Sequence, residues 1–329
     1  MKKISALLLV FLMLFCFAAC KNNTGDPAEF NTNPPETSAV EVRENKIRIA
    51  TGNDPMSLGF AKLSKDRAYA YDVKFCSSAE EAIELFKAGK ADVLSVSLDT
   101  AARLYNENNG IEMLAINTFG MTYVLSTDEE LKTLDGLKGK TVYCPSDYAD
   151  VKAIFAKALS ESGVSDVDIQ YKTADEIRDG MIDGTMNTCV LPEYKSAGVV
   201  GRTENVHLSV SIADVWSEKC GFELVQGCIV AKKDYVDKNA ELIEEFLGFY
   251  EASINYLEKN LTNASLFLSE NKFFESSEIA NALIVSCNTG FSAGVQMKEL
   301  AEKNYAALVS VDPDILSGAV PAADFYYGA

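Results

Sequence analysis

The chain has 329 residues, of which 48% are hydrophobic and 24% charged, an ordinary composition for a soluble globular protein. Its 48 acidic residues outnumber its 30 lysines and arginines, which gives a net charge of −18 at pH 7. So acidic a surface repels phosphate backbones and anionic lipid, which excludes nucleic acid as a partner and attachment to a membrane by charge alone.

The first segment has the pattern of an export signal. Lys2 and Lys3 precede an apolar run over residues 4–17, and small residues then lead to Cys20. A positive end, a short apolar core and small residues are typical of a signal peptide, and the run is shorter than the about 20 residues that span a bilayer. Residues 17–20 (FAAC) resemble a bacterial lipobox with Phe at its first position. We therefore predict a signal peptide over 1–19 and lipidation of Cys20; the alternative is an ordinary signal peptide with a chance cysteine.

Residues 20–44 are predicted to form a disordered tether. They are rich in Asn, Thr, Pro, Glu and Ser, and such a segment has too few apolar side chains to offset the entropy of ordering. A folded body is expected to begin at residue 45.

The body alternates strands with helices in two series. Gly, Ser and Asp residues at the predicted helix ends supply caps, as Ser78 does before AEEAIELFKAGK. The first series predicts strands over 46–52, 71–77, 91–98 and 111–118, and the second predicts strands over 122–127, 140–146, 167–173 and 186–193. Residues from about 236 to 308 are predicted to be mostly helical.

This alternation predicts an α/β fold with two lobes, each a mainly parallel sheet covered by helices. Ligands of such sheets lie beyond the carboxyl ends of the strands, so the loops there are expected to line a cleft between the lobes. Their serines can donate or accept hydrogen bonds, their aromatic rings can stack on a ligand, and Glu193 can accept from an amino group. Trp216 is placed in an irregular stretch before the return to the first lobe. The candidate ligand-binding residues are Asn53, Asp54, Met56, Ser95, Ser97, Phe119, Thr122, Ser146, Asp147, Tyr148, Glu193, Tyr194 and Trp216.

The cysteines and the histidine give little support for a metal or catalytic site. The body cysteines form no C-x-x-C pair and several lie in apolar runs, which favours core packing; a Cys220–Cys228 disulfide is the open alternative. The single histidine, His207, lies on a predicted strand, no G-x-S-x-G precedes it, and the sequence has no phosphate loop. We expect no metal, no cofactor and no ATP hydrolysis by this chain.

Three segments carry a resemblance to a known family. In order behind Cys20 they are AEEAIELFKAGKADV (79–93), LDGLKGKTV (134–142) and NTCVLPEYKSA (187–197). Their succession resembles the extracytoplasmic solute-binding proteins of ABC importers, in the branch that handles nitrate, sulfonates, taurine and thiamine-type pyrimidines. The resemblance implies a type 2 periplasmic-binding (Venus flytrap) fold, with residues 45–120 and 223–329 in lobe 1 and 121–222 in lobe 2. The chain would cross the hinge near Phe119–Tyr123 and again near Gly221–Gly227.

The same resemblance implies a function. The protein would be a monomeric, lipid-anchored, non-enzymatic binding component that delivers a small organic molecule to an ABC permease and its ATPase subunit. An enzyme of the menaquinone or pyrimidine biosynthesis type on this fold, and a ligand-sensing lipoprotein, are the alternatives. The cleft loops carry no arginine, only Lys195 lies close, and Glu193 and Asp147 oppose an anion. These residues favour a neutral or cationic ligand, such as a heterocycle.

Overall fold

The computed structural model describes residues 46–52, 54–107, 110–274 and 276–329. The predicted signal peptide, the lipidation site Cys20, the tether and the candidate Asn53 lie outside the described residues. Within the described ranges, no helix is long and apolar enough to cross a bilayer.

The described residues alternate strands and helices, as predicted. The strands are β1 (Ile47–Thr51), β2 (Tyr71–Phe75), β3 (Val93–Ser97), β4 (Ile111–Phe119), β5 (Thr122–Ser126), β6 (Thr141–Pro145), β7 (Asp168–Lys172), β8 (Thr188–Pro192), β9 (His207–Ser211), β10 (Val225–Lys232) and β11 (Thr289–Ser292). The helices are α1 (Leu58–Asp66), α2 (Ala79–Lys87), α3 (Leu98–Asn106), α4 (Ala149–Glu161), α5 (Ala174–Asp183), α6 (Glu193–Val200), α7 (Ile212–Cys220), α8 (Lys233–Lys238), α9 (Ala240–Lys259), α10 (Leu261–Glu270), α11 (Ser277–Ser286) and α12 (Gly294–Val309). Short 3₁₀ turns span Pro55–Ser57, Leu134–Leu137 and Ala323–Phe325.

The strands form two sheets, which define two lobes. Lobe 1 holds a six-stranded sheet in the order β11-β4-β10-β3-β1-β2, and lobe 2 holds a five-stranded sheet in the order β7-β6-β8-β5-β9. The chain leaves the first sheet after Phe119, enters the second at Thr122, and returns to the first at Val225. The predicted two-lobed α/β fold is confirmed, while the domain limits at residues 45, 121 and 223 stay a prediction.

Most strands of each sheet run in one direction, as expected, but both sheets also contain strands of the opposite direction. β1 pairs in parallel with β2 and β3, and β6 with β7 and β8, whereas β10 and β5 run antiparallel to both of their neighbours and β11 runs antiparallel to β4. β5 and β10 each follow a crossing between the lobes, so they enter their sheet from the edge at which its parallel strands end.

Lobe 1 is built on an aromatic core between helices α1 and α9. Phe60 of α1 lies with its ring centroid 4.7 Å from Tyr250 and 6.4 Å from Phe246, and all three side chains are fully buried. Each such side chain contributes about 1.5–3 kcal/mol by leaving water. Gly59 lets the two helices approach, because a Cβ there would lie 2.4 Å from the Tyr250 hydroxyl. This packing fixes helix α1, and with it the loop that carries Asp54 into the cleft.

The cysteines of the described residues are free thiols, and Cys220 and Cys228 are not paired. Cys228 lies fully buried on β10, where burial raises the pKa of its thiol far above the ordinary value. Cys228 therefore acts as a small core side chain.

Candidate functional site

The candidate site lies where the two lobes touch. Tyr123 of lobe 2 donates a 3.1 Å hydrogen bond to the carbonyl of Ser286 in lobe 1, and Asn288 donates a 2.6 Å bond to the carbonyl of Gly120 at the crossing. The loops after β1, β3, β6 and β8 meet in this region. The lobes are therefore closed onto each other, with the carboxyl ends of four strands at the contact.

A small cavity of about 50 Å³ lies between the lobes. Asp54, from the loop after β1, and Tyr194, from the start of α6, both line it, together with Cys287. The other wall is mostly apolar and comes from α1 and the C-terminal helices: Pro55, Ser57, Leu58, Ala61, Leu268, Phe273, Phe274 and Leu283. The cavity holds at most a few water molecules, so a larger ligand requires the lobes to separate.

Acidic side chains stand at the start of several elements at the cleft. Asp99, Asp150 and Glu193 lie in the first turns of α3, α4 and α6. Asp54 caps the 3₁₀ turn that precedes α1, where its Oδ1 accepts a 2.9 Å bond from the backbone N–H of Met56. Burial raises the pKa of Asp54 to about 6. A helix N-terminus offers unpaired N–H groups and a partial positive charge, and here each of the three helices has an acidic side chain in its first turn.

Glu193 is almost fully buried at the contact between the lobes. Its side chain is 3% exposed. The Ser286 hydroxyl donates to Oε1, while Oε2 is buried with no hydrogen-bond partner. Burial raises the pKa of the Glu193 carboxyl. The nearest lysine in sequence, Lys195, pairs with Asp175 at 2.8 Å and therefore does not neutralise Glu193.

A second acidic pair reaches across from lobe to lobe. Asp99 of lobe 1 accepts at Oδ2 from Arg103 at 3.1 Å, but its Oδ1 is buried and unpaired. Burial first, and then the Asp99 charge, hold the pKa of Asp150 in lobe 2 well above its ordinary value. Gln226 of β10 donates a 3.4 Å bond to Asp150 and accepts bonds from Met121 N–H at 2.7 Å and the Thr122 hydroxyl at 3.0 Å. Through Gln226, Asp150 is linked to both hinge crossings.

Two tyrosines form a neutral wall of the site. Tyr194 donates its hydroxyl proton to the Tyr148 hydroxyl at 2.5 Å, and the ring centroids are 6.3 Å apart. Burial raises the pKa of both phenols. Both side chains therefore stay protonated at neutral pH and offer flat rings and hydroxyls to a ligand.

Several predicted candidates lie beneath the cleft and hold the loops in place. Asn117 donates to the Ser95 hydroxyl at 2.8 Å and to the Met56 carbonyl at 3.2 Å, which ties β3 and β4 to the loop after β1. Ser97 donates to Thr100 at 2.8 Å within the start of α3. Thr122 is fully buried at the hinge.

Phe119 packs within lobe 1 next to the hinge. Its ring packs over Gly290 of β11, where a Cβ would lie 2.5 Å from the ring. It joins β4 to the C-terminal part of lobe 1 just before the chain crosses to lobe 2.

Ser146 and Asp147 are exposed, and neither caps α4. Asp147 instead accepts a 2.9 Å bond from the backbone N–H of Ala174, at the start of α5. α4 begins after Tyr148, with Asp150 in its first turn.

Trp216 corrects the sequence interpretation. It lies on helix α7 and not in an irregular stretch, and it is fully buried. Its ring packs edge-to-face on Phe222 at 6.0 Å, and it does not line the cavity. The apolar side chains Ile212, Val215 and Trp216 recur at helical spacing, so this face turns into the core of lobe 2.

Sequence reasoning missed Asp99, Asp150, Gln226 and Cys287 as site residues. The two aspartates had a usable signal, because each follows a predicted strand and opens a predicted helix. Gln226 and Cys287 had none, because their place depends on the return of the chain to lobe 1.

Comparison with known proteins gives a family and a fold. The model of the family described as NMT1/THI5 like matches residues 71–264. No curated protein has a significant sequence match to the chain.

Several solved structures have the same fold, and their alignments with this chain cover nearly the whole length of each of them. An ABC transporter structure from Parabacteroides distasonis has a TM-score of 0.73 and 18% identity, covering 85% of this chain and 98% of that one. The periplasmic aliphatic sulphonate binding protein SsuA from Escherichia coli has a TM-score of 0.70 and 13% identity, covering 87% and 92%. The alkanesulfonate-binding protein SsuA from Xanthomonas axonopodis, bound to MOPS, has a TM-score of 0.61 and 14% identity, covering 84% and 94%. The predicted resemblance to solute-binding proteins is confirmed.

Proposed function

Because the chain belongs to the NMT1/THI5-like family, we propose that it is the substrate-binding component of an ABC importer. It captures a small organic molecule between its lobes and delivers it to a membrane permease. The observation that carries the proposal is the meeting of Asp54 and Tyr194, from different lobes, at one cavity. Similar structures that are named as ABC-transporter and sulfonate-binding proteins support it.

The site supports binding over catalysis. Within the described ranges, no group of three or more His, Cys, Asp and Glu side chains could hold a metal ion. The one histidine, His207, pairs across β9 and β5 with Ser126, at the end of β5 opposite to the hinge crossing. We propose that the protein is not an enzyme and that it works as a monomer.

We further propose that Cys20 carries a lipid that anchors the protein at the outer face of the cell membrane. The apolar run that ends at FAAC supports this proposal. Metabolic labelling with a palmitate analogue tests it: the native protein takes up label and enters the detergent phase, and Cys20→Ala does neither. Label on the Cys20→Ala variant would contradict the anchor.

The binding function is tested by what the purified protein retains from a total metabolite extract. We expect mass spectrometry to recover a chemically unchanged small molecule. A ligand present at a hundredfold excess over Kd stabilises the folded state by about 2.7 kcal/mol, so it also raises Tm.

A matched pair of variants locates the binding. Tyr194→Ala is expected to lose the retained molecule, because it removes a side chain from the cavity wall. Tyr171→Ala, at a tyrosine that is 56% exposed on β7, is expected to keep it. A chemically altered product, or equal retention by both variants, would contradict the proposal.

A further inference from the structure

We infer that the cleft selects a flat cationic ligand that carries several N–H donors, such as an amidine, and rejects sulfonates and other anions. This inference rests on the proposed binding function and specifies its ligand class. It sets the chain apart from the sulfonate-binding proteins whose fold it shares.

The helices that begin at the cleft have acidic side chains in their first turns. A helix N-terminus is a ready site for an anion, since its backbone N–H groups are unpaired and its dipole is positive. Here α3, α4 and α6 each begin at the cleft, and each carries an acid in its first turn: Asp99, Asp150 and Glu193. An anionic ligand would meet carboxylates at the positions where it needs donors.

Two buried carboxylate oxygens of the cleft have no hydrogen-bond partner. Glu193 Oε2 and Asp99 Oδ1 are buried without a hydrogen-bond partner, on side chains that are 3% and 2% exposed. A buried polar atom without a partner is strongly unfavourable, more so when it is charged. Carboxylate oxygens only accept, so the missing partner of each is a donor.

Glu193 lies beside the cavity. Cys287 lines the cavity together with Asp54, and its chain neighbour Ser286 donates its hydroxyl proton to Glu193. Burial raises the pKa of the Cys287 thiol, and the Glu193 and Asp54 charges raise it further. Glu193 of lobe 2 and Asp54 of lobe 1 therefore lie close to the same stretch of cavity wall.

The neighbouring cations already form ion pairs. Arg103 pairs with the other oxygen of Asp99 at 3.1 Å, and Lys195 pairs with Asp175 at 2.8 Å. The acids of the cleft thus exceed the cations that could balance them. A cationic ligand restores that balance and supplies the missing donors.

The aromatic side chains of the cavity wall favour a flat ligand. Tyr194, Phe273 and Phe274 line the cavity with rings. Aromatic faces attract cations and stack on flat groups. A planar amidinium satisfies both demands, because it pairs with a carboxylate through two parallel N–H bonds.

Four probes of nearly one shape test the inference by isothermal titration of the purified full-length protein: benzamidine, benzamide, benzoate and benzenesulfonate. We expect benzamidine to bind at least tenfold more tightly than benzamide, and the two anions not to bind. Tighter binding of either anion, or no binding of benzamidine, overturns the inference.

Variants identify the carboxylate. Glu193→Gln keeps the size of the side chain and is expected to weaken benzamidine at least tenfold while changing benzamide less than threefold. Glu176→Gln, at an exposed acid in the first turn of α5, is expected to leave both affinities unchanged. If Glu193→Gln folds poorly, Asp99→Asn tests the same loss of benzamidine affinity. Unchanged benzamidine affinity in both cleft variants overturns the inference.

The retained metabolite separates this inference from the proposed function. A cation recovered from the extract supports both. A sulfonate or other anion recovered unchanged overturns the ligand class and preserves the binding function. A protein that retains nothing from the extract overturns the proposed function and the inference together.

Discussion

Replacing Glu193 by methionine is expected to stabilise the ligand-free protein. Methionine has nearly the length of glutamate and no atom that needs a partner in this pocket. Ser286, which donates to Glu193, keeps an alternative bond of 2.8 Å to the Ala282 carbonyl. Removing a buried, unpaired carboxylate oxygen recovers about 1–3 kcal/mol, and losing a first-turn acid costs about 0.3–1 kcal/mol. The net gain is at most about 2.7 kcal/mol and is centred on about 1.3 kcal/mol, which for a chain of this size raises Tm by a few degrees.

Thermal unfolding followed by circular dichroism measures this shift, with Glu176→Met as the matched control. Glu176 is also a first-turn acid in lobe 2, but it is exposed and accepts bonds of 2.8 and 2.9 Å from the backbone and hydroxyl of Thr173. Its replacement is therefore expected to lower Tm by one to a few degrees, from a loss of about 0.5–1 kcal/mol. If Glu193→Met lowers Tm as the control does, Glu193 stabilises the closed protein and the reasoning about its unpaired oxygen is refuted.

Two further outcomes follow from the geometry of the cleft. Because burial raises the pKa of Asp54 from 3.8 to about 6, the folded state binds this proton more tightly. The Asp54 contribution to stability is then lost as pH rises from about 4 to about 6. In chemical denaturation, the free energy of unfolding of Asp54→Asn is therefore expected to rise relative to that of the native protein by at most about 3 kcal/mol over that range. A difference that does not change with pH would contradict the pKa shift. Gly227→Ala places a Cβ 2.7 Å from Met56 and 2.8 Å from Asn117, so we expect it to lower stability by about 1–3 kcal/mol, and an unchanged Tm would show that the loop after β1 yields easily.

The fold was largely predictable because its signals are local. The run ADVLSVSL, apolar on both faces, became the buried strand β3, and Ser78 caps α2 by accepting from the backbone of Glu81 at 3.3 Å. Strand direction was not predictable in the same way. Alternation of strands and helices reports which elements form, but the antiparallel entry of β5 and β10 depends on the two-lobed path of the chain.

The site was predictable where it follows a strand and hidden where it does not. The rule that ligands sit beyond strand ends pointed to Asp54, Tyr148, Glu193 and Tyr194, and these four meet at the contact between the lobes. The same rule cannot place Cys287, because it follows a helix and reaches the cleft only through the packing of the C-terminal helices.

The arrangement of charge gives a physical reason for closure to depend on ligand. Asp99 and Asp150 face each other from different lobes, and the Asp99 charge disfavours ionisation of Asp150, so approach of the lobes is opposed when both are charged. A clamp that is open 99 times in 100 without ligand needs a differential of about 5.5 kcal/mol to be closed 99 times in 100 with it. Two hydrogen bonds from a cation to buried carboxylates, at about 1.5–3 kcal/mol each, supply most or all of that amount. An anion supplies none of it and adds to the repulsion, so the same acids that select the ligand make its positive charge the condition for closure.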